Sequence, residues 1–161
     1  STNVEGLLMR MKKEYERFWN DSRRKKAGKL NLTPEEVSTL ASIVEEEATY
    51  TDEYPIVAGL YLNRLKRGMR LEADPTVKFS VGDFSLRRIL YSHLEVESPY
   101  NTYRHPGLPP GPISNPGKAS IAAALNPEKT PYYFYVSKGD GSHYFSRTFQ
   151  EHLQAMARYI Q

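Results

Sequence analysis

Leu7, Leu8, Met11, Tyr15, Phe18 and Trp19 recur at helical spacing and predict an amphipathic helix over residues 4–26, within an N-terminal helical segment 1–30. The opposite face is basic, and the run Arg23-Arg24-Lys25-Lys26 followed by Gly28 is expected to end the helix in solvent. Thr33-Pro34-Glu35-Glu36 then reads as a helix start: Thr33 caps, Pro34 suits the first position, and Glu36 completes a capping box. That helix should run to about Thr49. A further start at Thr51-Asp52, with Pro55 in the first turn, leads an apolar face of Ile56, Val57, Leu60, Tyr61 and Leu65 that Gly68 stops.

The pattern changes after Gly68. Met69–Leu71 reads as a short strand, Ala73-Asp74-Pro75 as a turn, and Ser85–Tyr91 as a short helix. Residues 98–117, SPYNTYRHPGLPPGPISNPG, have no periodicity; an ordered loop of this length inside a domain is usually functional. Asn115-Pro116 should open a small-residue helix through Leu125. YYFYVSK, the turn GDGS and HYFS predict a β-hairpin, and Thr148–Ile160 a closing amphipathic helix. The expected fold is a single α+β domain over residues 1–161, a helical core with a small antiparallel sheet containing the C-terminal hairpin.

The composition is globular, 39% hydrophobic and 25% charged. A net charge of +3 is mild, and no recognised binding motif accompanies it, so a nucleic-acid partner is not expected. The absence of cysteine excludes disulfides, thiolate metal sites and cysteine nucleophiles. The four histidines, His93, His105, His143 and His152, show no metal-ligand spacing, so no metal or other cofactor is expected. No apolar run approaches the roughly 20 residues that span a bilayer.

Residues 42–50, SIVEEEATY, carry three consecutive glutamates on the second predicted helix. With Val37 at zero, Leu40, Ala41, Val44 and Ala48 fall at about 300°, 40°, 340° and 20° and define the apolar face. Glu46 lies at about 180°, opposite it, and Glu45 at about 80°, on its margin. Glu47 falls at about 280°, inside the apolar arc. A carboxyl held there beside other acids has its pKa raised and becomes a candidate general acid. The alternative is that Glu47 reaches the surface at the helix end or pairs with an arginine such as Arg64 or Arg70.

LASIVEEEA (40–48), VAGLYLNRLKRGMRLEADPTVKFSVG (57–82) and PYNTYRHPGLPPGPISNPGKASIAAALNPEKTPYYFYVSKGDGSHYFS (99–146) closely resemble the endolytic murein transglycosylases of the YceG-like (MltG) family. The resemblance covers roughly residues 33–160. It implies cleavage of peptidoglycan glycan strands between N-acetylmuramic acid and N-acetylglucosamine without water, leaving 1,6-anhydro ends. It puts the catalytic acid/base on the second glutamate of the V-E-x-E motif, Glu47, the residue the helical wheel also singles out. The family's usual lysine between the two glutamates is Glu46 here.

A glycoside hydrolase would need a second carboxylate, about 5 Å away for retention or about 6.5–9.5 Å for inversion. Glu45, Glu72 and Asp74 are candidates, though Glu45 points some 160° away from Glu47. Asp74 has the alternative role of an Asx-type cap in the ADPTV turn. Substrate binding is expected from Glu45, Asn63, Arg70, Asp74, Tyr100, Asn101, Thr102, Tyr103 and His143, with aromatic faces and amides suited to an N-acetylated glycan. Arg70 or Lys118 would meet lactyl or stem-peptide carboxylates. For Asn101 and the prolines, holding the loop's shape is an equal alternative; His143 would either donate to substrate or steady the hairpin. A two-carboxylate muramidase and a non-catalytic glycan-binding module are the competing functions. The resemblance further implies a membrane anchor and a LysM-like subdomain, both expected to lie outside this chain, which is read as the catalytic part. It also implies a place on the outer face of the bacterial cytoplasmic membrane beside cell-wall synthesis proteins.

Overall fold

The computed structural model describes residues 3–160. Among them are seven helices, α1 (Val4–Phe18), α2 (Asp21–Lys29), α3 (Pro34–Glu47), α4 (Tyr54–Arg67), α5 (Asp74–Val81), α6 (Lys118–Leu125) and α7 (Phe149–Tyr159). Strands β1 (Phe134–Ser137) and β2 (His143–Ser146) form one antiparallel sheet, completing the expected α+β fold. No helix among the described residues is long and apolar enough to cross a membrane.

Helix α3 is the centre of the core. Its Thr33 capping box forms as the sequence demands, and Val37, Leu40, Ala41, Ile43 and Val44 are wholly buried. It packs on α4, α5 and α6, and α6 packs in turn on α4. Gly59 lets α4 approach the segment after α6 backbone to backbone: a Cβ there would lie 2.1 Å from the Glu128 carbonyl oxygen. The Glu128 amide donates to the Pro55 carbonyl at 3.0 Å beside it. Gly68, at φ 71°, ends α4 in the left-handed conformation.

The last two turns of α4 aim the hairpin. Tyr61 shares a 2.8 Å hydrogen bond between its hydroxyl and that of Tyr135 on β1. The Asn63 amide donates to the carbonyls of Thr130 and Tyr132, and Arg64 Nε to that of Tyr133. These contacts bring β1 over the C-terminal end of α3, while α7 packs on both strands. The hairpin pairs Phe134 with Ser146 and Ser137 with His143, and Gly139 and Gly141 supply the positive φ its turn requires.

Several expected elements differ. The 4–26 helix is two helices: Asn20 turns the chain by capping α2, accepting from the Arg23 amide, and Trp19 is buried at the break. The basic run therefore lies inside α2, which continues through Gly28 to Lys29. Leu7, Leu8 and Met11 remain exposed. Ser1 and Thr2, part of the expected N-terminal segment, lie outside the described residues. Met69–Leu71 forms no strand, because the Arg70 carbonyl accepts from Arg64 Nη1 instead of pairing in a ladder. The Ala73–Pro75 turn is the first turn of α5, with Ala73 as N-cap. The Ser85–Tyr91 helix is absent; Asp83 accepts from the Ser85 amide, an Asx-type competitor to helix, and a 3-10 turn forms at Tyr91–Glu95. Helix α6 begins at Lys118, three residues later than Asn115.

Candidate active site

Glu47 is the last residue of α3, where the helix dipole disfavours negative charge. It opens onto a cleft of about 430 Å³ lined also by Arg64, Glu72, Asp74, Tyr103, Tyr135 and His143. A second cleft of about 420 Å³, with Lys78, Arg87 and Arg88 on its walls, shares Glu47 and Asp74 with the first. The two clefts thus adjoin at this pair of carboxyl groups, an arrangement suited to an elongated ligand.

Glu47 Oε2 is buried without a hydrogen-bond partner among the described residues. Burial pushes the carboxyl from its ordinary 4.5 up to about 7; the Tyr135 hydroxyl opposes that shift and the charge of Asp74 adds to it. Glu46 is exposed, as its wheel position requires. The arginine alternatives are not taken up. Arg64 donates to the Tyr133 and Arg70 carbonyls and lies 3.9 Å from Glu72.

Around Glu47 the other groups are held in place. Tyr103 donates its hydroxyl to Asp74 Oδ1 at 2.6 Å, so Asp74 serves this bond in place of the Asx cap, and no side chain caps α5. Burial first, then Asp74, raises the Tyr103 pKa and keeps its proton. The Tyr61 and Tyr135 hydroxyls are pushed well up by burial and then by the charge of Glu47. His143 Nδ1 lies 2.8 Å from Glu53 Oε1, and the His143 amide donates to Glu53 Oε2 at 3.0 Å.

Of the sequence candidates, Glu47, Glu72, Asp74, Tyr103 and His143 line the first cleft. Glu45 does not: its Oε1 accepts from the Gly117 amide and the Ser120 hydroxyl, fastening the start of α6 to α3. Asn63 is occupied in holding the segment before β1. Arg70 lines a third groove, with Met69, Pro106 and Phe149, that shares Arg64 and Glu72 with the first cleft but does not include Glu47. Tyr100 packs its ring on Phe79. Asn101 is wholly buried, donating to the Leu94 and Val96 carbonyls, and Thr102 accepts from the Ala73 amide. Those two residues shape the long loop and tie it to the start of α5.

Sequence reasoning assigned no site role to Tyr135 and Glu53, and considered Arg64 only as a partner for Glu47. Tyr135 was legible only as a strand residue, since facing Glu47 depends on how α4 docks the hairpin. Glu53 carried no local signal, because its partner is 90 positions away. Of the basic side chains on the second cleft, Arg87 and Arg88 fall in the 85–91 stretch that the sequence predicts as helix, and Lys78 in a stretch for which it predicts no element, so periodicity could not aim them.

Residues 1–158 match the YceG-like family. The chain is 38% identical over 159 residues to the endolytic murein transglycosylase of Bacillus subtilis, covering 99% of this chain and 44% of that protein. It is 30% identical over 169 residues to the protein of the same name from Streptococcus pneumoniae, covering 99% of this chain and 30% of that one. The crystal structure of a yceG-like protein from Listeria monocytogenes matches with a TM-score of 0.77 and 41% identity, over 83% of this chain and 44% of that one. The chain thus spans less than half the length of these relatives. With its motifs in order and matched almost end to end, the chain belongs to the YceG-like family.

Proposed function

We propose that this chain carries the sugar-cleaving centre of an endolytic lytic transglycosylase acting on peptidoglycan strands, with Glu47 as its single general acid/base. The observation that carries the proposal is the Glu47 carboxyl itself, its Oε2 buried and unpartnered among the described residues where two clefts adjoin, with burial pushing its pKa up to about 7. Such a group is protonated often enough near neutral pH to donate, and ionises readily enough to accept afterwards. The relatives' name, endolytic murein transglycosylase, supports the same reading.

In the first step Glu47 gives its proton to the glycosidic oxygen between N-acetylmuramic acid and N-acetylglucosamine as the C1–O bond breaks. Positive charge develops at C1 and the ring oxygen. The muramic acid C6 oxygen then bonds to C1, and its proton passes to the Glu47 carboxylate. The products are an N-acetylglucosamine hydroxyl and a 1,6-anhydro end, the enzyme is restored, and no water is consumed. Asp74, oriented by Tyr103, supplies negative charge that favours the cationic transition state. Lys78, Arg87 and Arg88, which share a cleft with Glu47, suit the lactyl or stem-peptide carboxylates better than Arg70, whose groove Glu47 does not line. Action at the outer face of the cytoplasmic membrane, anchored through regions outside this chain and beside cell-wall synthesis proteins, completes the proposal.

A second reading has one observation in its favour. Asp74 shares both clefts with Glu47, so a two-carboxylate muramidase has a candidate second group. Mass spectrometry of digested glycan separates the two, since hydrolytic ends are heavier than anhydro ends by one water. The proposal expects anhydro ends from the native chain and none from Glu47→Gln. Reducing ends would favour the muramidase, and strand binding without cleavage would favour a non-catalytic module.

A further inference from the structure

Glu53 and His143 form a pair that the mechanism above does not use. Both side chains are nearly buried, at 12% and 7% exposure. Glu53 precedes α4 by one residue, in the 3-10 turn that follows the Glu47 helix; His143 opens β2 and lines the Glu47 cleft. One carboxylate receives two bonds from the same residue, the backbone amide at Oε2 and Nδ1 at Oε1.

That double contact decides the imidazole tautomer. A backbone amide only donates and a carboxylate only accepts, so Nδ1 must carry the hydrogen toward Oε1. In the neutral ring Nε2 is then left as an acceptor. Nε2 makes no hydrogen bond to the described residues and is not among their buried unpartnered atoms, so it stays open to the cleft. The ring stands edge-on to Tyr135, at 5.2 Å and 88°, which restrains its rotation.

We infer that Glu53 is a positioning residue: it holds His143 with Nε2 presented as an acceptor to a hydroxyl of the bound glycan beside Glu47. The inference rests on the proposed glycan-cleaving function and adds a fixed acceptor to it. A purely structural role, fastening the hairpin to the α3–α4 junction, is the competing explanation.

Glu53→Gln separates the two. Its amide oxygen can still accept from the His143 backbone, and its NH₂ can donate to Nδ1, so both fastening bonds survive. The tautomer must invert, however, and Nε2 becomes a donor; the same logic makes amide-for-carboxylate exchange diagnostic in hydrolase triads. Long-range ¹H–¹⁵N correlation spectra should show the Nδ1–H form in the native protein and the Nε2–H form in Glu53→Gln. The melting temperature should stay within a few degrees of native. The rate of glycan cleavage should fall about tenfold, the worth of one hydrogen bond. In a Glu47→Gln background, affinity for peptide-free glycan strands should drop by a similar factor when Glu53→Gln is added. Adding Glu53→Gln to His143→Ala should change neither readout further. An inverted tautomer with native binding and cleavage would overturn the inference, as would an Nε2–H form in the native protein. If the native chain cleaves no glycan, the proposed function fails, while the spectra and the affinity comparison still decide this inference.

Discussion

Replacing Glu47 by glutamine should change the pH dependence of stability as well as abolish cleavage. The carboxyl has an ordinary pKa of 4.5 and about 7 in the fold. Below pH 4.5 it is neutral in both folded and unfolded chains and distinguishes neither. Between 4.5 and about 7 the unfolded chain releases the proton while the folded chain retains it, so stability falls as pH rises. Above about 7 both states are ionised, and the cost of the buried charge is complete. At roughly 1.4 kcal/mol per pH unit, the shift corresponds to about 3 kcal/mol. Glu47→Gln leaves every other titrating group in place, so urea unfolding of both proteins from pH 4 to pH 8 isolates the contribution. The native protein should lose about 3 kcal/mol relative to the variant across that range. Parallel stability curves would refute the argument, since they would mean Glu47 titrates alike in folded and unfolded chains.

Asp74→Asn keeps an oxygen for the Tyr103 hydroxyl but removes a charge that raises the Glu47 pKa. The alkaline limb of the cleavage pH profile should therefore move to lower pH, and an unmoved limb would show that Asp74 does not act on Glu47. Gly59→Ala sets a methyl group against the Glu128 carbonyl, 2.1 Å from its oxygen, and should cost about 1–3 kcal/mol in thermal unfolding as α4 is pushed away. Replacing Lys78, Arg87 and Arg88 together by alanine should weaken binding of peptide-bearing glycan more than peptide-free glycan, and should reduce its salt dependence. Equal losses on both glycans would contradict that assignment.

Glu47 was visible in the sequence because one helix period sufficed: the capping box set the start of α3, and its stripe set the direction of each glutamate. The hairpin and α7 were legible for the same local reasons, in the turn glycines and in Thr148, which caps α7. Local signals misled where a short polar residue competed with the periodicity. Asn20 divided the first helix, and Asp83 displaced a predicted helix. For the rest of the cleft the sequence named Glu72, Asp74, Tyr103 and His143 but could not separate them from candidates that lie elsewhere. Asn101 and Thr102 look like ligand-binding residues in sequence but are consumed by the loop's own carbonyls and by the start of α5. Glu45 likewise looks like a site acid until α6 docks on α3. Which polar side chains remain free is a tertiary property: it depends on contacts such as Glu53–His143, separated by 90 positions.

Digestion of purified glycan in H₂¹⁸O tests most directly the proposal that one carboxyl cleaves the sugar bond without water. Products from the native chain should contain no ¹⁸O at their new ends, and Glu47→Gln should release none. Incorporation of one ¹⁸O per cleaved bond, or undiminished cleavage by Glu47→Gln, would contradict it.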